Sequence, residues 1–88
     1  MGLFIPVAIA ILKVEGMKVK ELHYADSFSV RRLVFRVPIN KMFLVTIKGH
    51  ALVVYNGAVI DSQYPNGIPI TEYYRNSARV EQAWEVSK

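Results

Sequence analysis

Apolar and polar positions are patterned most clearly between Met42 and Asp61, and that stretch organises the rest of the chain. Asn56-Gly57 stands between Leu52-Val53-Val54-Tyr55 and Ala58-Val59-Ile60. A two-residue type I′ turn needs positive φ at both central positions, which Asn and Gly tolerate, so this pattern predicts a β-hairpin. Register follows from the turn: Tyr55 faces Ala58, Val54 faces Val59, Val53 faces Ile60 and Leu52 faces Asp61. Side chains alternate along a strand, so His50 shares a face with Leu52. His50 and Asp61 thus become diagonal neighbours, roughly 7–8 Å apart at the backbone and within side-chain reach.

Upstream, Met42 to Lys48 reads as a strand of β-branched and aromatic residues. Residues 4–14 are apolar on nearly every side, so periodicity cannot separate helix from strand. Pro6 suits a first helical turn and the alternating alanines permit close approach, which favours a buried helix ended by Glu15-Gly16. Met17 to Tyr24, apolar at 17, 19, 22 and 24, fits a short amphipathic helix. Asp26, Ser27 and Ser29 offer N-caps for a helix over 29–35, with Val30, Leu33 and Val34 on one stripe and Arg31 and Arg32 turned out. A strand over 30–37 is the competing assignment, and Pro38 closes the segment either way.

Ser62 to Pro69, rich in Pro, Asn and Gly, reads as a loop, and 70–76 as a brief turn or helix. Arg79 to Val86 sets Val80, Trp84 and Val86 on one face of a closing strand, with Trp84 as its core anchor. The expected fold is α+β: two or three N-terminal helices packed on a small antiparallel sheet, with strands at about 42–48, 50–55, 58–62 and 79–86.

Composition changes this picture little. At 88 residues, 52% hydrophobic and 20% charged, the chain is long enough for one small packed domain spanning 1–88. It contains no cysteine, which removes disulfides, zinc–thiolate sites and thiol catalysis. The net charge of +4 is uneven: residues 1–48 hold eight Lys/Arg against three Asp/Glu, and residues 49–88 hold three against four. Arg31, Arg32, Arg36, Lys18 and Lys20 are therefore candidate contacts for an acidic protein surface. With Lys13, they are equally candidates for nucleic acid. The apolar run Gly2 to Leu12 has no basic residue before it, contains Pro6 and is too short to span a bilayer. It reads as core of a soluble, cytoplasmic protein with no membrane partner.

The candidate chemistry lies at His50 and Asp61. An imidazole oriented by a carboxylate is the base half of a nucleophilic site. His23, His50 and Asp61 have no recognisable ligand spacing, so neither a metal nor a cofactor is expected. Tyr73 and Tyr74 could line an interaction surface.

Two segments bear a family resemblance. Lys48-Gly49-His50-Ala51-Leu52-Val53-Val54, followed by Asp61, resembles the Gly-His-Ala histidine strand and the orienting Asp/Asn of papain-like and C39-like cysteine peptidases, small phage-encoded members included. Phe4-Ile5-Pro6-Val7-Ala8-Ile9-Ala10 resembles the Cys-Gly-Pro-x-Ala-x-Ala opening of their catalytic helix. The resemblance implies a reduced papain-like core with Phe4 at the nucleophile position. Phenylalanine cannot attack a carbonyl. The implied protein is a catalytically inactive pseudo-peptidase with a relic site of Phe4, His50 and Asp61, acting by binding a protein partner in the host cytoplasm if phage-encoded. Two alternatives stand beside it: a small basic nucleic-acid-binding accessory protein, and a hydrolase with an unrecognised nucleophile. A homodimer is compatible with so small a core.

Overall fold

The computed structural model describes residues 5–88, with side chains from Ile9 onward. In chain order its elements are α1 (Ile5–Val14), β1 (Lys18–Glu21), α2 (Val30–Arg36), β2 (Met42–Ile47), β3 (His50–Tyr55), β4 (Ala58–Ile60), β5 (Ile68–Pro69) and β6 (Val80–Ser87). Single 3-10 turns cover Ala25–Ser27 and Ile70–Glu72. The strands make one six-stranded sheet in the order β1-β6-β2-β3-β4-β5, antiparallel at every pairing.

This corrects the expected helices-on-a-sheet architecture, and the N-terminal half accounts for most of the difference. Met17 to Tyr24 does not form a helix. Lys18–Glu21 pairs with β6 instead, with Val19 opposite Val86 and Glu21 opposite Trp84. Over so few residues the pattern satisfies period two as well as period 3.6. A helix of about two turns scarcely repays its nucleation, whereas the open edge of β6 supplies ready ladder partners.

The buried helix expected over 4–14 is also corrected for its described side chains, which begin at Ile9. A helix forms, but Ile11 is 56% and Val14 84% exposed, and no described α1 side chain enters the core. Its C-terminus closes tightly on Gly16 at φ +85°, with the Met17 amide donating to the Leu12 carbonyl at 2.9 Å. That turn ties α1 directly to β1, against which it lies at the sheet edge. No described helix is long and apolar enough to cross a membrane.

The core lies on one face of the sheet. Phe43, Val45, Ile47, Leu52, Val54 and Val59 meet Val30, Leu33 and Val34 of α2 together with Ile70 and Tyr73. Ser29 caps α2 by accepting the Arg32 amide on its hydroxyl at 3.3 Å. The Ala78 and Asn76 carbonyls accept the amides of Val30 and Arg31. These partners favour the helix over the competing strand assignment.

The closing strand holds one further correction. Pairing between β2 and β6 slips between Thr46 and Ile47, so Thr46 faces Gln82 but Ile47 faces Val80. One extra residue on β6 moves the side chains beyond it to the other face. Val80 and Ala83 consequently share the core. Trp84 and Val86, though buried, lie outside that cluster rather than on a face with Val80. The Thr46 hydroxyl fills the gap, accepting the Gln82 amide at 3.1 Å.

Candidate functional site

The site grows from the β3–β4 hairpin. Asn56 takes φ +55° and Gly57 φ +76°, the conformation a type I′ turn requires. Val53 pairs with Ile60, Val54 with Val59 and Tyr55 with Ala58. At the other end of β3, Gly49 at φ +72° turns the chain out of β2 and brings His50 opposite Ile47. His50 thereby points to the core face, and its Nε2 lies 3.0 Å from Asp61 Oδ2.

Asp61 is held from all sides. It follows β4 directly and starts a tight turn in which its Oδ1 accepts the amides of Gln63 at 2.9 Å and Tyr64 at 3.0 Å. Its Oδ2 accepts the Tyr73 hydroxyl at 2.9 Å as well as the imidazole. The Asp61 side chain is fully buried and that of His50 is 19% exposed. Burial alone would raise the carboxyl pKa, but the hydrogen bonds from His50, Tyr73, Tyr64 and Gln63 outweigh it and hold the group below its usual 3.8. Tyr73 shifts the opposite way: burial, then the hydrogen bond and charge of Asp61, push its phenol well above the usual 10.0. Asp61 is therefore the anion of the site, and Tyr73 is a proton donor that keeps its proton.

These protonation states determine the imidazole tautomer. A carboxylate only accepts, so His50 donates through Nε2–H, and in the neutral ring Nδ1 carries the lone pair. Nδ1 has no hydrogen-bond partner among the described residues. The arrangement is an oriented base with its acceptor nitrogen unengaged. The adjoining turn is braced by Arg75, whose Nη2 donates to the Lys48 carbonyl at 3.1 Å.

The other residues singled out from the sequence are placed as follows. Phe4 lies outside the described residues. The described part of α1 meets β1, an edge strand separated from β3 by β6 and β2. Lys18 and Lys20 are exposed on β1 and Lys13 is exposed on α1, whereas Arg31, Arg32 and Arg36 share the outer side of α2. His23 is exposed, its Nδ1 3.9 Å from Glu21 Oε2. No group of three or more His, Cys, Asp or Glu that could hold a metal occurs among the described residues. Apart from Tyr73, no described hydroxyl is hydrogen-bonded to His50 or Asp61.

Tyr73 is the member that sequence reasoning missed. It sits 1% exposed under the carboxylate, with the rings of Tyr64 and Tyr74 edge-on around it at 6.2 and 5.3 Å. Tyr74 faces solvent, so only one of the two adjacent tyrosines is available as surface. No local spacing announces this role; the usable clue is general, that a buried phenol needs an acceptor. No family model, no curated protein and no solved structure matches this chain.

Proposed function

We propose that the chain is a non-catalytic domain of the papain-like kind, a pseudo-peptidase that binds a protein partner beside His50 without cleaving it. The observation that carries this proposal is the 3.0 Å contact between His50 Nε2 and a fully buried Asp61 carboxylate, in a chain without cysteine. Its support is the histidine strand and Asp61; Phe4 lies outside the described residues and contributes nothing. An extended peptide crossing the end of β3 would offer backbone N–H donors to the open Nδ1, which makes binding without turnover the natural use of a base that lacks a nucleophile. A cytoplasmic setting, the host's if the chain is phage-encoded, belongs to the same proposal.

The test is to incubate the protein with thiol- and serine-directed electrophiles and with casein peptides, following His50 by ¹⁵N NMR of the imidazole. Expected are no covalent labelling, no hydrolysis, and peptide-dependent shifts of the His50 ring signals that disappear in His50→Ala. Hydrolysis of any peptide bond that His50→Ala abolishes would instead establish an active enzyme with an unfamiliar nucleophile.

A further inference from the structure

Away from the hairpin, α2 and the turn at Asn76-Ser77 enclose an open groove of about 600 Å³. Arg31, Arg32 and Arg36 line it together with Phe28 and Phe35, and no carboxylate is among the lining residues. None of the three guanidiniums donates a hydrogen bond or forms an ion pair among the described residues. Arg32 and Arg36 are four apart on the helix, a spacing at which like charges repel. Repulsion is relieved when an anion lies between such charges.

The aromatic residues narrow the chemistry. Phe35 is 67% exposed beside the arginines, an apolar surface that the core does not use. The Arg32 guanidinium lies 5.9 Å from the Phe28 ring centroid, and Tyr24 meets the same ring edge-on at 5.9 Å. Arginines beside an exposed ring match an anionic chain that carries flat groups at intervals. Nucleic acid has that constitution, and only an unpaired strand exposes its base faces for stacking. An acidic peptide would meet the charges but leave Phe35 without a stacking partner.

We infer that this groove binds single-stranded nucleic acid, with the arginines on phosphates and Phe35 stacking a base. The site is separate from the His50–Asp61 corner and stands whether or not that corner binds peptide. It also excludes Lys13, Lys18 and Lys20, which sit on α1 and β1 rather than in the groove.

The test is fluorescence anisotropy of the full chain with a labelled oligothymidylate, the corresponding duplex and a glutamate-rich peptide of equal length. Expected is preferential binding of the single strand at low ionic strength, with a slope of log K against log salt of about −2 for three phosphate contacts. Arg36→Gln should make that slope shallower by about 0.7. Phe35→Ala should weaken binding by roughly 5- to 100-fold and leave the slope unchanged. Lys88→Gln, removing one charge elsewhere, should change neither. No binding at low salt, equal or tighter binding of the duplex or the peptide, or an unaffected Phe35→Ala variant would each overturn the inference.

Discussion

Two polar regions of this molecule are built on opposite terms. At the β3–β4 corner, two backbone amides, a phenol and an imidazole converge on one buried carboxylate, and among the described residues no buried side-chain nitrogen or oxygen lacks a partner. Along α2, three guanidiniums stand in one groove with no acceptor among the described residues. The Asp61 carboxylate is fully buried, so each donor that it answers would otherwise cost about 1–3 kcal/mol. The groove is wet, and water solvates unpaired arginines without penalty. Satisfied polar groups hold the chain together; solvated ones are left over for something outside it.

The contrast can be broken most sharply at its centre. Asp61→Ala strands the Tyr73 hydroxyl and two turn amides at once, and should cost about 3–5 kcal/mol in urea unfolding, the range for removing one partner of a buried charged cluster. Tyr73→Phe removes a single hydrogen bond while Asp61 keeps its other donors, and should cost about 1.5 kcal/mol by the same measurement.

Titration sharpens the comparison further. Asp61 is depressed below 3.8, so its stabilising contribution is complete above that value. As pH falls below 3.8 the unfolded chain takes up the proton first, and stability should decline through the lower, folded pKa. Tyr73 is raised, so above about pH 10 the unfolded phenol ionises while the folded one stays protonated, and stability should fall again on the alkaline side. Urea midpoints across pH should show both declines, with the alkaline one reduced in Tyr73→Phe. Arg32→Gln and Arg36→Gln give the smallest effect: each should move stability by less than about 0.5 kcal/mol, because both residues are exposed and neither forms an ion pair among the described residues. A larger loss would mean that the groove arginines are structural after all.

The hairpin and its polar pair were legible because their causes are local. Asn56-Gly57 sets the turn, the turn sets the register, and the register brings His50 to Asp61. Much else was not. Val80, Trp84 and Val86 share a face by counting, yet a slip opposite Thr46 and Ile47 divides them, and that slip depends on how β2 meets β6. Phe28, Phe35 and the arginines carry no common motif; they meet because α2 folds back beside Asn76-Ser77.

By itself, the sequence determined the β3–β4 hairpin, the buried stripe of α2 and the chemistry available at residues 50 and 61. Backbone conformational preferences and side-chain periodicity act within a few residues, and these features need nothing more. Tertiary structure alone decided that Lys18–Glu21 becomes an edge strand, that the described side chains of α1 stay outside the core, and that Tyr73 closes the carboxylate's shell. In each of those cases the local pattern allowed two outcomes, and the free energy of meeting a distant partner chose between them.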